Sequence, residues 1–392
     1  MAQKTVPVLI VGGGIGGLGA ALALALQGIP SRVLEQASGF GEIGAGIQLG
    51  PNVFRMFHRL GISDAIEKRA VFVDKIIMMD AVAGTPITEV PLGKPFRERF
   101  GQPYAVIHRA DLHRALLDAC EARGELISLE TKTSVTSVRD TDDGVVAVTG
   151  DGSEISGAAL IGADGLWSSV RAYVADDGPP RVSGHVAYRA VLPMEQVPKE
   201  MRWNAATLWA GPRIHLVHYP LRNGELMNLV AVFHSDRYVE GWNAPGEVDE
   251  LLRWFKDIDP RPLSLIDLVS EWRMWVLCDR DPISKWSRGR TTLLGDAAHP
   301  MLQYFAQGAC MALEDAVCLA DKVTAADGDY GEAFKAYQAE RYLRTGRVQL
   351  MARFLGDIYH AKDVERELRN QMLAGRTPET SYQGLAWLYD GP

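Results

Sequence analysis

The sequence predicts an α/β fold in which a nucleotide-binding unit with parallel strands carries an inserted, sheet-rich domain and ends in helices. Three observations support this fold class. A glycine-rich loop joins an apolar strand to an apolar helix near the start of the chain. Between about residues 181 and 279, apolar residues recur with the two-residue period of strands. After residue 280 a strand-loop-helix pattern returns, and the chain finishes with helical spacing.

These changes of pattern give the predicted domain boundaries. The first part covers residues 1–180, the inserted domain 181–279, and the returning part with the C-terminal helices 280–392. Residues 72–103 are expected to reach from the first part toward the inserted domain. Because no internal repeat or low-complexity linker separates the parts, we expect the two domains to be interleaved.

Composition narrows the class of protein. A chain of 392 residues with 47% hydrophobic residues can bury one large or two moderate cores. Its formal net charge of −8 argues against a basic surface that binds nucleic acid. None of the four cysteines lies in a CxxC pattern, which favours reduced thiols in a cytoplasmic enzyme over a disulfide framework; they are Cys120, Cys278, Cys310 and Cys318.

The first apolar stretch could be mistaken for a membrane span or an export signal. Residues 6–26 contain no charge and follow Lys4. However, six glycines cluster inside the stretch, where a spanning helix would need to be continuous. A strand, a loop and a helix therefore explain it better, and no membrane association is expected.

The glycine loop itself predicts a dinucleotide site. The β-branched run from Val8 is followed by Gly12, Gly14 and Gly17, and then by an alanine- and leucine-rich helix that ends near residue 28. Glycines allow the tight turn and let backbone N–H groups approach a pyrophosphate, which the helix dipole also favours. The next strand ends on Glu35, about 20 to 25 residues on, where a ribose-binding carboxylate belongs.

A second GxGxxG pattern occurs at residues 39–44, "GFGEIG". It does not lie directly between a strand and a helix, so a glycine-rich loop is the better interpretation. The chain therefore has one dinucleotide-binding unit, and it is predicted to bind one dinucleotide stably.

Three further stretches carry polar groups at strand ends or helix starts. "ALIGADG" places Asp164 after an apolar strand, with Ser168 positioned as a helix N-cap. "HRADL" places Arg109 before a helix that is expected to be capped near Asp111. "LLGDAAHPMLQYFAQGACMALEDA" ends an apolar strand on Asp296 and then starts a helix around residue 308. Each stretch alone has an ordinary structural explanation.

The histidines around "HRADL" do not have the spacing of a metal site. His108 and His113 are five residues apart and point to different sides of a helix, unlike the HExxH motif, so they and Asp111 do not indicate a metal. No metal site is predicted from sequence motifs.

Taken together, and in this order, the glycine fingerprint, the DG stretch and the GDAAHP stretch resemble the single-component FAD-dependent aromatic hydroxylases, the family of p-hydroxybenzoate hydroxylase. The resemblance covers essentially the whole chain and implies a Rossmann-like FAD-binding domain with tightly but non-covalently bound FAD. It also implies the residues that hold the cofactor, which are Gly12, Gly14, Gly17, Glu35, Gln48, Arg109, Asp164, Asp296, Pro300, Gly308, Ala309 and Cys310.

Within the inserted domain, "PRIHLVHYPLRNGELMNLVAVFHS" predicts a hairpin around Asn223-Gly224. Side chains alternate faces along a strand, so His215 and Tyr219 share one face and are separated by about 13 Å. On sequence alone, two such residues are more often structural than catalytic. The family resemblance implies instead that His215, Tyr219 and Gln303 line the substrate site.

The resemblance also implies an activity. NADH reduces FAD, O₂ is activated on the reduced flavin, and a small aromatic hydroxy acid is hydroxylated in aromatic catabolism. The best match is the branch that converts 3-hydroxybenzoate to 2,5-dihydroxybenzoate (gentisate), with His215 as base and Gln303 orienting the hydroxyl. Alternatives are decarboxylating hydroxylation of salicylate to catechol, hydroxylation of 6-hydroxynicotinate, and a non-catalytic binding protein on the same fold. A homodimer is a further expectation, and the preference for NADH over NADPH rests on the resemblance alone.

Overall fold

The structure is a computed structural model that describes residues 6–41, 44–236 and 242–391. Within these ranges the strands, in chain order, are β1 (Val8–Val11), β2 (Ser31–Leu34), β3 (Gly46–Leu49), β4 (Lys75–Asp80), β5 (Pro86–Pro91), β6 (Ala105–His108), β7 (Ile127–Glu130), β8 (Val135–Asp140), β9 (Val145–Thr149), β10 (Glu154–Gly157), β11 (Leu160–Gly162), β12 (Arg181–Pro193), β13 (Ala205–Gly211), β14 (Ile214–Leu221), β15 (Leu226–His234), β16 (Trp242–Pro245), β17 (Arg273–Asp279), β18 (Ser287–Arg288) and β19 (Thr291–Leu293).

The helices of the described ranges are α1 (Ile15–Leu26), α2 (Pro51–Leu60), α3 (Ser63–Glu67), α4 (Lys94–Phe100), α5 (Arg109–Glu121), α6 (Ser169–Val174), α7 (Val248–Phe255), α8 (Pro260–Ile266), α9 (Gly308–Ala325), α10 (Tyr330–Tyr359), α11 (Asp363–Ala374) and α12 (Pro378–Tyr389). The second GxGxxG pattern includes residues 42 and 43, which lie outside the described residues.

One sheet has six strands in the order β18-β19-β11-β1-β2-β7, and its five neighbouring strands from β19 to β7 are parallel. Apolar residues fill β1 completely, as expected for a parallel strand covered on both faces. Helices α1 and α9 approach each other closely here, because a Cβ on Gly19 would lie 2.6 Å from the side chain of Leu313. This sheet confirms the predicted α/β fold class.

A second sheet has eight strands in the order β16-β17-β12-β15-β14-β13-β4-β5. All its neighbours are antiparallel except β13 and β4, which pair in parallel. The hairpin between β14 and β15 turns through Arg222–Gly224, with Asn223 at φ 56° and Gly224 at φ 84°. The predicted turn at Asn223-Gly224 is therefore confirmed.

Strands β4 and β5 lie within residues 72–103 and belong to this large sheet. The sheet therefore takes strands from both sides of residue 180. The domain boundaries at residues 180 and 279 stay a prediction. Two small sheets, β10-β9-β8 and β3-β6, complete the strands of the described residues. Helices long and apolar enough to cross a membrane are absent from the described ranges.

The start of α5 differs from expectation. The N-cap is His108 rather than Asp111, and the His108 side chain accepts a hydrogen bond from the backbone N–H of Ala110 at 3.3 Å. Asp111 lies in the first turn and forms a two-bond ion pair with Arg222 at 3.0 Å. The carboxylate is drawn away from the cap because a guanidinium binds it in bidentate fashion.

Candidate active site

The glycine loop forms a tight turn between β1 and α1. Gly12 has φ 102°, and a Cβ on it would lie 2.4 Å from the carbonyl oxygen of Ala163. A Cβ on Gly17 would lie 1.9 Å from the carbonyl oxygen of Gly12. Gly14 is the N-cap of α1 and supplies no capping side chain, so the first N–H groups of the helix are left without a side-chain acceptor. This arrangement suits a pyrophosphate.

Glu35 follows β2 directly and holds the same loop. Its carboxylate accepts the N–H of Gly13 at 2.7 Å and the N–H of Ala37 at 2.8 Å. Asp164 follows β11 next to Gly12, but its carboxylate faces α6. It accepts the Ser169 hydroxyl and the Val170 N–H, both at 3.2 Å. Burial raises the pKa of Asp164, although these hydrogen bonds oppose the shift.

Asp296 lies where β19 meets the start of α9. It is exposed, while its neighbours on both sides are buried, so the carboxylate is accessible from solvent. Its Oδ1 would be 3.8 Å from a Cβ on Gly308, the first residue of α9. Gln307, the N-cap of α9, provides no side-chain cap, which leaves the N–H groups of the first turn, including Gly308, Ala309 and Cys310, without a side-chain acceptor.

The loop that carries Asp296 is fixed by buried charges. Asp315 on α9 accepts the N–H of Gly295 at 3.1 Å and contacts His299 Nε2 at 2.5 Å. Arg341 on α10 donates to Asp315 at 2.7 Å and to Glu314 at 2.7 Å. Burial opposes ionisation of Asp315, but the charges of His299 and Arg341 outweigh it and lower its pKa to about 2. The strand-to-helix turn is thus held by ion pairs rather than by apolar packing alone.

These observations fit an FAD. Two helix N-termini, α1 and α9, have no side-chain cap, glycines allow close backbone approach, and the exposed Asp296 carboxylate lies beside the start of α9. Gln48 on β3 lies at the same end of α9, since its carbonyl accepts the Cys310 thiol at 3.8 Å and its side chain accepts the Tyr104 hydroxyl. Pro300 contributes its carbonyl to the Gln349 side chain at 3.0 Å.

Strand β14 of the large sheet presents two different faces, as its alternation predicts. Ile214 and Leu216 pack into the apolar core beneath the sheet, and His218 accepts a hydrogen bond from Trp209 at 3.1 Å on that side. His215 and Tyr219 occupy the opposite face. Both are nearly inaccessible, with exposures of 2% and 3%.

The turn after Pro300 lies across this second face. Leu302 packs against the sheet residues Ala187 and Val230. Gln303 accepts a hydrogen bond from the guanidinium of Arg189 on β12. The ring of the next residue, Tyr304, lies 5.3 Å from that of His215, measured between centroids. The turn therefore brings Gln303, His215 and a cation to one side of the sheet.

Arg189 is the residue that motif reading missed. Its guanidinium stacks 5.1 Å over the Trp275 ring, and within residues 6–41, 44–236 and 242–391 it forms no ion pair with a carboxylate. Burial lowers its pKa to about 10, so it is still a cation at neutral pH. An arginine inside the otherwise apolar stretch "VAYRAVL" was the available signal.

His215 lies in a cluster of aromatic rings and imidazoles. Its Nδ1 is 2.7 Å from His360 Nε2, at the end of α10. Its ring also contacts Tyr359, with 5.5 Å between centroids. Burial lowers the pKa of His215 to about 3, and the nearby His185 adds to the shift. The imidazole is therefore neutral at pH 7 and holds one nitrogen lone pair.

Tyr219 lies at the other end of the same face. A Cβ on Gly46 would fall 2.4 Å from the Tyr219 ring, so glycine is required where β3 passes over it. The positive charge of Arg189 is close enough to oppose the burial that raises the pKa of Tyr219. Arg109 begins α5, with its N–H donated to Ala45 at 2.9 Å, and lies near enough to Arg189 to lower its pKa.

The predicted site residues therefore form two groups. The glycine loop, Glu35 and Asp164 lie at the carboxyl ends of β1, β2 and β11. The second group lies at or just before the N-terminus of α9 and on one face of the large sheet, and its members are His215, Tyr219, Asp296, Pro300, Gln303, Gly308, Ala309 and Cys310. Gln48 on β3 contacts this group through Cys310, and Arg109 at the start of α5 lies near Arg189. By contrast, His113 bonds to Gly13, at 2.8 Å, and is not brought together with His108 and Asp111.

Comparison with known proteins identifies the family of the chain. The model of a family described as FAD binding domain matches residues 5–350. The chain is 50% identical over 383 residues to 3-hydroxybenzoate 6-hydroxylase 1 of Aquipseudomonas alcaligenes, covering 97% of each chain. It is 50% identical over 386 residues to 3-hydroxybenzoate 6-hydroxylase of Polaromonas naphthalenivorans (strain CJ2), covering 98% of this chain and 95% of that one.

A solved structure also matches. Klebsiella pneumoniae HpxO, in complex with FAD and uric acid, superposes with a TM-score of 0.87 at 29% identity, and the match covers 100% of this chain and 98% of that one. By both the family model and these relatives, the chain belongs to the FAD binding domain family and, within it, to the FAD-dependent aromatic hydroxylases.

Proposed function

We propose that this protein is an FAD-dependent monooxygenase that hydroxylates 3-hydroxybenzoate para to its hydroxyl group, with NADH and O₂ as co-substrates. The product is 2,5-dihydroxybenzoate. The observation that carries the proposal is the pairing on one sheet face of a neutral imidazole, His215, with a cation, Arg189, that has no described carboxylate partner. In a hydroxybenzoate, the hydroxyl group could bind His215 and the carboxylate could bind Arg189. The relatives named for this reaction support the substrate.

The residues that would hold FAD are those of the first group and of the α9 N-terminus. Gly12, Gly14 and Gly17 would admit the pyrophosphate to the loop that Glu35 fixes, and Asp296 would accept hydrogen bonds from the ribityl hydroxyls. The N–H groups at the start of α9 favour negative charge at the isoalloxazine end. When bound and reduced by NADH, FAD supplies the activated oxygen atom.

His215 is proposed to take the phenol proton. A phenol has an ordinary pKa near 10 and is a weak nucleophile at its ring carbons, whereas the phenolate directs electron density to the ortho and para positions. Because His215 is neutral, one ring nitrogen can accept the proton while the other is held by His360. The phenolate formed beside it stabilises the resulting imidazolium. A placed general base contributes about 10² to 10⁴ in rate.

Arg189 and Gln303 are proposed to fix the orientation of the ring. Arg189 would bind the substrate carboxylate through its planar guanidinium, and stacking on Trp275 keeps that plane in place. Gln303, which Arg189 holds, would orient the phenol hydroxyl toward His215. With the carboxylate and the hydroxyl both fixed, the carbon para to the hydroxyl would be the one presented to the flavin.

We expect Asp296→Ala to weaken FAD binding by roughly 10- to 150-fold, because a hydrogen bond to a charged group contributes about 1.5–3 kcal/mol. Isothermal titration of the apoprotein with FAD measures the dissociation constant. Asp321→Ala, which removes an exposed carboxylate from the far end of α9 that pairs with Arg59, is the matched control. An FAD affinity of Asp296→Ala equal to that of the control would remove Asp296 from the site.

Arg189→Met is expected to raise the KM for 3-hydroxybenzoate by roughly 10- to 150-fold with a smaller change in kcat, since it removes a charged hydrogen bond of about 1.5–3 kcal/mol. Binding of 3-hydroxybenzamide, which lacks the negative charge, should change far less. Arg273→Met is the control, because Arg273 pairs in register with Arg189 but is exposed. Equal losses for the acid and the amide would show that Arg189 does not bind the carboxylate.

Product analysis tests the function itself. The holoenzyme with NADH and O₂ should convert 3-hydroxybenzoate mainly to 2,5-dihydroxybenzoate, with little 2,3- or 3,4-dihydroxybenzoate, as resolved by chromatography. Salicylate and 6-hydroxynicotinate are supplied in parallel. Catechol from salicylate as the dominant product, with 3-hydroxybenzoate inert, would overturn the substrate assignment and favour the decarboxylating alternative.

The proposed co-substrates, the oligomeric state and the location can be tested separately. NADH and O₂ meet the flavin only transiently, and comparing NADH with NADPH as reductant tests the nicotinamide preference. The homodimer and the cytoplasmic location stay predictions. Light scattering of the eluting holoenzyme measures the oligomeric state directly.

A further inference from the structure

Three histidines next to the proposed base bring one ring nitrogen each close together. His185 on β12 and His234 on β15 are directly opposite in the antiparallel register. His360 is the C-cap of α10 and lies over this pair. One ligand atom from each of the three lies within 4.8 Å of those of the other two. Among the described residues, this is the one group of three or more potential metal ligands that lies this close together.

The separation of two of these nitrogens is informative. His234 Nε2 is 3.2 Å from His360 Nδ1. A hydrogen bond has this length, but so does the edge of a tetrahedral metal site, since ligand nitrogens at about 2.0–2.1 Å from zinc are about 3.3 Å apart. The ligand nitrogen of His185 lies within 4.8 Å of the other two, and the Tyr304 hydroxyl, 2.6 Å from His185 Nδ1, holds that ring, so closing the third side requires a rotation of the His185 side chain.

The chemistry of the cluster suits a borderline-soft divalent ion. Burial lowers the pKa of His185 to about 4 and that of His360 well below its usual range, so both present neutral lone pairs. His185 and His234 are partly exposed, which leaves a route for an ion from solvent. The C-terminal end of α10 favours a cation there. Of the charged groups nearby, Asp357 favours a cation, whereas Arg213 opposes it.

We propose that His185, His234 and His360 bind a divalent transition-metal ion such as Zn²⁺, and that the bound ion prevents His215 from acting as a base. A water molecule would take the fourth position, as in other three-histidine zinc sites. The first half of this proposal is independent of the reaction. The second half rests on the proposed function of His215.

Metal binding is coupled to base catalysis through the positions of the protons on the His360 and His215 rings. A neutral imidazole carries one proton on one of its two nitrogens. For His215 to accept the phenol proton at Nε2, its own proton must be on Nδ1, donated to His360 Nε2. His360 must then carry its proton on Nδ1, facing His234. A metal ion bound at His360 Nδ1 excludes that proton and moves it to Nε2.

The change of tautomer at His360 then changes the tautomer of His215, the proposed base. His360 Nε2–H donates to His215 Nδ1, so the neutral His215 must hold its proton on Nε2, toward the substrate. In that form it can donate to the phenol but cannot accept its proton. Metal binding and base catalysis therefore require opposite tautomers of the same pair of imidazoles. Flavin reduction by NADH does not depend on this pair and should continue.

Binding is tested first, with the FAD-loaded protein. Titration with Zn²⁺ in a calorimeter should show one site per chain, and Co²⁺ should give the visible absorption of a tetrahedral ion. His185→Ala should weaken the affinity by at least about 100-fold, because removing a ligand costs more than removing an outer-shell partner, typically 10- to 100-fold. His58→Ala, an exposed histidine on α2, should leave it unchanged. Equal Zn²⁺ affinity in wild type and His185→Ala would overturn the site.

Coupling is tested by activity in the same samples. Saturating Zn²⁺ should suppress dihydroxybenzoate formation by the wild type while NADH oxidation continues with release of hydrogen peroxide, and EDTA should restore hydroxylation. In His185→Ala, rates with and without Zn²⁺ should agree. Retained FAD absorbance verifies the fold of the variant, and His234→Ala replaces it if FAD is lost. Zn²⁺ that binds at this site without changing the product yield would overturn the coupling and leave the metal site standing.

Discussion

We expect His215→Ala to bind FAD and oxidise NADH at near wild-type levels while dihydroxybenzoate formation falls by about 10² to 10⁴. Only proton removal from the phenol depends on the imidazole, whereas the cofactor is held by the glycine loop and the start of α9. Reducing equivalents that no longer reach the ring should appear as hydrogen peroxide. Rapid-mixing spectroscopy, with chromatography of the products, measures both quantities.

The pH dependence separates a base from a structural residue. Raising the pH toward the phenol pKa near 10 should restore part of the hydroxylation in His215→Ala, because the substrate then ionises without help. The control is Tyr219→Phe, because Tyr219 lies on the same sheet face as His215. Losing one hydroxyl should weaken substrate binding by about 1–3 kcal/mol and leave the ratio of product to NADH nearly unchanged. Wild-type hydroxylation by His215→Ala at neutral pH would show that the histidine is structural.

The second large effect is expected from Arg341→Met, which should lower the free energy of unfolding by about 3–5 kcal/mol. Arg341 is buried and neutralises both Glu314 and Asp315, which are themselves buried. Removing it takes away the cation that Glu314 and Asp315 share and leaves Arg344 as the partner of Glu314 and His299 as the partner of Asp315. Loss of one partner from a buried ion-pair network is strongly destabilising. For a chain of this size, the loss corresponds to roughly 4–6 °C in melting temperature. Calorimetry or urea unfolding of the FAD-loaded protein measures it.

The stability of the protein at acid pH gives an independent check on the buried ion pairs of Arg341 with Glu314 and Asp315. The folded pKa of Asp315 is about 2, below the ordinary 3.8, because the charges of His299 and Arg341 outweigh burial. The stability that this carboxylate contributes is therefore present above about pH 4 and is lost as the pH falls toward 2. In Arg341→Met the folded pKa of Asp315 should lie closer to its ordinary value, so this acid-dependent loss of stability should be smaller. Lys335→Met, on an exposed face of α10, should change stability by less than about 0.5 kcal/mol. A melting temperature of Arg341→Met equal to that of the control would refute the assignment.

Much of the fold follows from local sequence. The loop from Gly12 to Gly17 and the turn at Asn223-Gly224 are specified by glycines whose φ or close contacts exclude other residues. The alternation along β14 is equally local, since side-chain direction changes with every residue. These features can be read from a few neighbouring positions, and the structure confirms them.

The contacts that give the site its chemistry are different. Arg189 and Gln303 are 114 residues apart, and His215 and His360 are 145 residues apart. No spacing rule connects such pairs, because their meeting depends on how the large sheet packs against the turn after Pro300. Family resemblance supplied His215, Tyr219 and Gln303. It did not indicate Arg189 or the three histidines around His360.

The closing of the parallel sheet by β19 has a consequence for how the chain is made. Strand β19 pairs with β11 only after the six strands β12 to β17 of the large sheet have been synthesised, and α9 must then pack on α1. Contacts of such long sequence separation form late and slowly. A nascent chain that has released β1 through β11 therefore carries an unfinished sheet with an open edge, which is a surface prone to misassembly until the last third emerges from the ribosome. FAD can therefore bind only after β19 and α9 have been made. A truncated chain that ends before β19 should be purified without FAD and without its yellow colour.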